Sequence, residues 1–381
     1  MDPRPRSRPA ALAGTLLALT LLALLVAPPA DAHALGGVEP SNYQTRVLAV
    51  RPRVPGLSVS VIDAGTRLRL VNTGDREVVV LGYQSEPWLR VGRGGVFENT
   101  SSPAAWLAGR RRVDAPPPAA ADAPPSWRRI GEAGTVAWRD QRARWTAAQA
   151  PPQVRQAPEE SHVVVPRWTV PLRYGDRPVT VVGEVRWVPG PPPLPWLAAA
   201  ALLAVAVLAA GRTGAWSRAL AVAIGAVAAT DVVHTAGMLA GVQTPLGGRL
   251  LAAGLAVAGW LAAALAIRQL VRGRIESGLF QLLLAAGLLT VVGGFGDLGF
   301  LLRSQMASAL PGWAVRAAVA AKLGLGVGVA VAAGLRLRQA LLDRPGAEHP
   351  RHGGGQLATV TLWPGARRPI ANPDPETRGG A

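Results

Sequence analysis

Asp231, His234 and Met238 stand three and four residues apart within one apolar stretch of the chain. On a helix that spacing puts the three side chains on one face. A carboxylate, an imidazole and a thioether so placed could share an ion or pass a proton, and the thioether would tilt a metal site toward Cu(I). Asp297 lies in another apolar stretch, and Lys322, the only lysine of the chain, in a third. Ionisable side chains inside such stretches are costly unless they are paired or used, so each is a functional lead. The plainer alternative is an intramembrane ion pair between Asp231 and Lys322 that only pins two helices together.

The elements that must hold these residues are apolar runs at 194–211, 219–241, 250–267, 278–302 and 313–335. Each is about long enough to cross a hydrocarbon core of roughly 30 Å as a helix, which predicts a five-helix transmembrane bundle over 194–335. Counting about 1.5 Å per residue places Asp231 and Lys322 at matching depths of roughly 15 Å, with His234, Asp297 and Arg316 at roughly 5 to 11 Å. Arg212, Arg218, Arg268, Arg272, Arg274, Arg336, Arg338 and Arg344 fall on one side of the bundle, Arg249 and Arg303 on the other. That asymmetry predicts a cytoplasmic C-terminus and an extracellular N-terminal domain.

Arg4, Arg6 and Arg8 precede an apolar stretch and then Ala30-Asp31-Ala32, the layout of a signal peptide over 1–32. Cleavage after Ala32 would leave His33 as the new N-terminus, where α-amine and imidazole could chelate Cu(II); cleavage after Ala34 would remove it. Residues 33–188 read as short alternating strands. Leu57 to Ile62, Arg67 to Val71 and Glu77 to Leu81 form a meander, and His162 to Arg173 with Val179 to Val188 a hairpin. The expectation is an exported all-β sandwich, immunoglobulin-like but without a disulfide. Trp88, Trp106, Trp127, Trp138, Trp145, Trp168 and Trp187 supply its core filler. A proline-rich stalk at 189–193 joins it to the bundle, and 336–381 reads as a disordered cytoplasmic tail.

The formal charge of +17 comes from arginines scattered among Ala, Pro and Gly. With no basic stripe interleaved with aromatics, nucleic acid is excluded as a partner. Zero cysteines exclude disulfides, thiolate metal sites and cysteine nucleophiles. The chain carries no nucleophile elbow, P-loop, dinucleotide fingerprint or zincin motif, so no enzyme is expected.

Arg76 to Tyr83 with Glu86-Pro87, Asn99 to Ala104, Pro125 to Trp145, and Val181 to Pro189 resemble an uncharacterised family of actinobacterial membrane proteins. In that family an exported β domain precedes several spans. The resemblance implies a Trp-His-Asp-His-Arg-x-His-Trp pattern, of which this chain keeps Trp138, Asp140, Arg142 and Trp145. Arg139, Gln141 and Arg144 stand at the histidine positions. His33 and the architecture also resemble CopC-type copper proteins fused to CopD-type membrane domains.

These observations predict a non-enzymatic, multi-pass membrane protein of the cell envelope that binds or handles copper or another metal ion. His33, His234, Met238 and Asp297 are its candidate ligands, and Asp231 and Lys322 an intramembrane ion pair. Its partners would be the lipid bilayer, a metal ion and an envelope protein. Two alternatives use the same residues: a structural or sensory protein whose β domain binds a partner, and a proton-coupled transporter subunit.

Overall fold

Alternation of apolar and polar residues dictates the N-terminal architecture. In Leu57–Ile62 (β2) and Arg67–Asn72 (β3), every second side chain points into a shared core, with Leu68 and Leu70 fully buried. The computed structural model describes residues 38–108, 120–242 and 246–343, without the side chains of 246–253. The expected signal peptide with His33, and the chain beyond 343, lie outside the described residues.

Among the described residues ten strands make two antiparallel sheets. Seven lie in one: Tyr43–Arg51 (β1), Val78–Leu81 (β4), Pro87–Gly92 (β5), Gly95–Asn99 (β6), Trp127–Gly131 (β7), His162–Tyr174 (β9) and Arg177–Trp187 (β10). Their order is β1-β10-β9-β4-β5-β6-β7. The other sheet is β2-β3-β8, with β8 at Thr135–Trp138. One hydrophobic cluster draws on both, from Leu57, Leu70 and Trp138 to Val80, Trp88, Trp168 and Val181. Of the seven tryptophans expected there, Trp88, Trp138 and Trp168 are buried, and Trp88 meets Trp138 edge to face at 6.4 Å.

The expected hairpin is present as β9 and β10, closed by Gly175 at φ +57°. The expected meander is not. β3 and β4 belong to different sheets because buried Asn72 turns the chain between them. Its Nδ2 donates to the Arg76 and Val91 carbonyls, and its Oδ1 accepts from the Gly74 N–H.

Two single-turn helices, Pro103–Leu107 (α1) and Pro152–Gln156 (α2), precede the apolar region. There the helices are Leu194–Ala210 (α3), Trp216–Gly241 (α4), Leu246–Val271 (α5), Ile275–Ala286 (α6), Gly299–Leu302 (α7) and Gly312–Leu342 (α8). Among the described residues four helical segments are long and apolar enough to cross a membrane: Trp216–Gly241, Gly254–Val271, Ile275–Leu302 and Gly312–Leu342. The sequence count was five. The difference is α3, whose 17 residues extend only about 26 Å before the turn at Gly211. The fourth expected segment is also irregular: α6 passes into a π-helix at Gly287–Phe295 and a 3-10 turn at Gly296–Leu298 before α7. No proline causes this, and π segments recur at functional sites.

α3 and α8 run in the same direction, with Ala200 against Gly324 and Val207 against Gly328. At the far end Arg336 donates to the Gly211 carbonyl, satisfying the end of α3, and covers the Trp216 ring at 5.0 Å. The β region is fastened to the helices by the loop after α7. Ser41 and Gln305 exchange backbone hydrogen bonds, the Ser304 N–H donates to Asn42 Oδ1, and the Ser304 hydroxyl donates to the Val188 carbonyl.

Candidate functional site

Three apolar segments converge on one ammonium. Lys322 of α8 is fully buried, and its Nζ donates to Asp297 Oδ2 at 2.7 Å and to Asp231 Oδ1 at 3.0 Å. Asp231 comes from α4 and Asp297 from the 3-10 turn after the π-helix. His234, one helical turn beyond Asp231, places Nε2 3.0 Å from Asp297 Oδ2. The fifth member is Trp260 of α5, whose indole N–H donates to Asp231 Oδ2 at 2.9 Å.

Local sequence explains the convergence. Asp231 and His234 share a face of α4 by their spacing of three. Gly293, inside the π-helix, has no side chain to hold the network apart. A Cβ there would stand 3.2 Å from Asp231 Oδ1 and 3.5 Å from Lys322 Nζ. Thr290, one turn earlier, is buried and directs its hydroxyl toward the Lys322 carbonyl at 3.5 Å, a weak contact at the limit of hydrogen bonding.

A carboxylate oxygen can only accept, so Nε2 of His234 carries a hydrogen toward Asp297 Oδ2. His234 is 4% exposed, and Nδ1 has no hydrogen-bond partner among the described residues. Phe300 closes on the ring edge to face at 5.8 Å. Apart from the imidazole, two carboxylates and one ammonium leave one net negative charge in a largely buried place.

Asp231 and Lys322 lie 3.0 Å apart, and Asp297, 2.7 Å from the same ammonium, is a third member. Of the four expected metal ligands, only His234 and Asp297 come together. Met238 packs into an apolar cluster with Phe300, Leu301, Val319 and Leu323, which suits a flexible thioether as core filler. His33 lies outside the described residues. Among the described residues no group of three or more His, Asp or Glu is arranged to hold a metal ion. Trp260 escaped the sequence reading. Its signal was available: unlike Trp196, Trp216 and Trp313 it stands mid-span, where an indole N–H needs a partner.

The segment beginning at Trp138 makes a second polar cluster, in the β region. Buried Asp140 accepts from the Trp138 indole at 3.1 Å and from Arg142 Nε at 2.9 Å, and Arg142 continues to the Leu81 and Gly82 carbonyls. The guanidinium lies over the Tyr83 ring at 4.9 Å, and the Tyr83 oxygen accepts from the Gln141 N–H. Burial, aided by the Asp140 charge, pushes the Tyr83 phenol above its ordinary range. Asp140 is thus saturated by its own neighbours, and the cluster is a latch between β4, β8 and the turn at Gln141–Ala143.

No protein-family model, curated protein or solved structure matches the chain.

Proposed function

We propose that this chain is a multi-pass membrane protein whose buried network binds and relays a proton, as the coupling site of a transporter or a transporter subunit. The observation that carries the reading is the buried Nδ1 of His234, which has no hydrogen-bond partner among the described residues, beside two carboxylates that share one ammonium. A proton bonding to Nδ1 makes an imidazolium that neutralises the cluster. Passing the other proton from Nε2 to Asp297 Oδ2 returns a neutral ring and leaves a protonated carboxyl, so the pair can hand a proton on. The proton reading is preferred to the metal reading because an ammonium already stands between the two carboxylates.

Orientation follows from charge and helix direction. The parallel course of α3 and α8 supports counting α3 as a crossing. The arginine asymmetry then puts the β region outside and the tail inside. The two sheets read as a sandwich, because they share one core. Their seven-to-three division departs from the four-and-three split of immunoglobulin constant domains, so an immunoglobulin-type binding edge is not part of the reading.

Proton flux into vesicles holding the purified full-length chain tests this. Wild type should acidify the lumen under an imposed pH gradient and membrane potential, and His234→Gln and Asp297→Asn should each abolish the flux while folding normally. Flux unchanged in both variants would refute the proposal.

A further inference from the structure

The two carboxylates of the network are not equivalent. Asp231 has both oxygens occupied, Oδ1 by the Lys322 ammonium and Oδ2 by the Trp260 indole N–H. Asp297 receives Lys322 and His234 on the same oxygen, Oδ2. A hydrogen bond donated to a carboxylate favours its charged form, and an indole can donate but never accept. Protonating Asp231 on Oδ2 would set an O–H against the Trp260 N–H, whereas the two donors that favour the charged form of Asp297 both stand on Oδ2 and leave Oδ1 open to a proton.

We infer that Trp260 is a positioning residue: by holding Asp231 Oδ2 it keeps that carboxylate ionised as the permanent partner of Lys322 and confines the mobile proton to His234 and Asp297. This rests on the proton-relay reading above. The other charges near the network do not alter the assignment. On α8, Arg316 is turned to the Arg303 carbonyl. α3 carries no charged residue, and Arg249 and Arg268 of α5 stand two or more turns from Trp260 in sequence. The π-helix with its flanking turn contributes only Asp297.

The consequence is a division of labour that a merely structural tryptophan would not produce. A Trp260 that only fills space could be replaced by Phe without changing which group titrates. A positioning Trp260 could not.

Infrared difference spectroscopy of the full-length protein in lipid, recorded across a pH titration, reads protonated carboxyls directly. In wild type the carboxyl signal should vanish with Asp297→Asn and persist with Asp231→Asn. In Trp260→Phe a second carboxyl signal should appear that Asp231→Asn removes. Should Trp260→Phe fail to fold, the Trp260 indole proton of wild type gives the answer by nuclear magnetic resonance. It should stay hydrogen-bonded through the pH range of proton uptake; release in step with uptake overturns the inference. Normal uptake with Trp260→Phe titrating as wild type overturns this inference and leaves the relay standing. A wild-type network that takes up no proton at all removes both.

Discussion

Lys322 Nζ lies 2.7 Å from Asp297 Oδ2, closer than the 3.0 Å it keeps from Asp231, the carboxylate at matching depth in the sequence. The ammonium therefore joins three segments rather than two: α4, the turn after the π-helix, and α8. Removing it should strand one buried carboxylate, Asp231, and one partly buried, Asp297. Lys322→Met is expected to destabilise the chain by about 3–5 kcal/mol. Adding Asp231→Asn and Asp297→Asn together should recover most of that loss. Thermal unfolding of the detergent-purified variants checks this, and a single variant as stable as wild type would contradict the network.

Gly324 lets α3 lie directly on α8, where an added side chain would meet the Ala200 backbone and Leu203. Gly324→Leu should cost at least about 1–3 kcal/mol, because two packed backbones cannot both give way. Gly334, which has nothing within reach of an added side chain, is the control: Gly334→Leu should leave the melting temperature within about a degree or two of wild type, or raise it.

In the β region the Asp140 carboxylate is the hub of the latch. Arg142→Met would leave it buried without its ion pair, at a cost of roughly 3 kcal/mol, while Asp140→Asn should cost less, because Asn still offers an acceptor to the Trp138 indole. Denaturant titration followed by tryptophan fluorescence would report both, since Trp88 and Trp138 stack beside the latch.

Alkali should loosen the same region. Below the ordinary phenol value of 10.0, Tyr83 is neutral whether folded or unfolded and adds no pH dependence. Above it the unfolded chain ionises first, because burial holds the folded phenol higher, so stability falls as pH rises through the folded value. Tyr43 is raised in the same sense, again chiefly by burial. Tyr83→Phe should lower stability at neutral pH by losing the Gln141 contact, yet flatten the alkaline decline measured by circular dichroism.

Much of this was legible from residue patterns. The alternation in Leu57–Ile62 and Arg67–Asn72, and the turn at Gly175-Asp176, were enough to place strands, because a half-buried strand must alternate. Asp231, His234, Asp297 and Lys322 were legible as costly charges. Their partners were not, because depth arithmetic gives position along a helix but not which neighbour it faces. Asn72 turned the chain into a second sheet by hydrogen bonds from its own side chain, and no hydrophobic period records that. The π-helix had no signal stronger than its glycines. Met238 misled, since spacing alone cannot distinguish a thioether ligand from a thioether in an apolar core.

Proton acceptance by His234 and Asp297 is open to measurement. Potentiometric titration of the full-length protein, wild type against the His234→Gln, Asp297→Asn double variant, tests it most directly. Wild type should take up one more proton per chain than the double variant as pH falls from alkaline to mildly acid. Identical uptake curves from two folded proteins would contradict it.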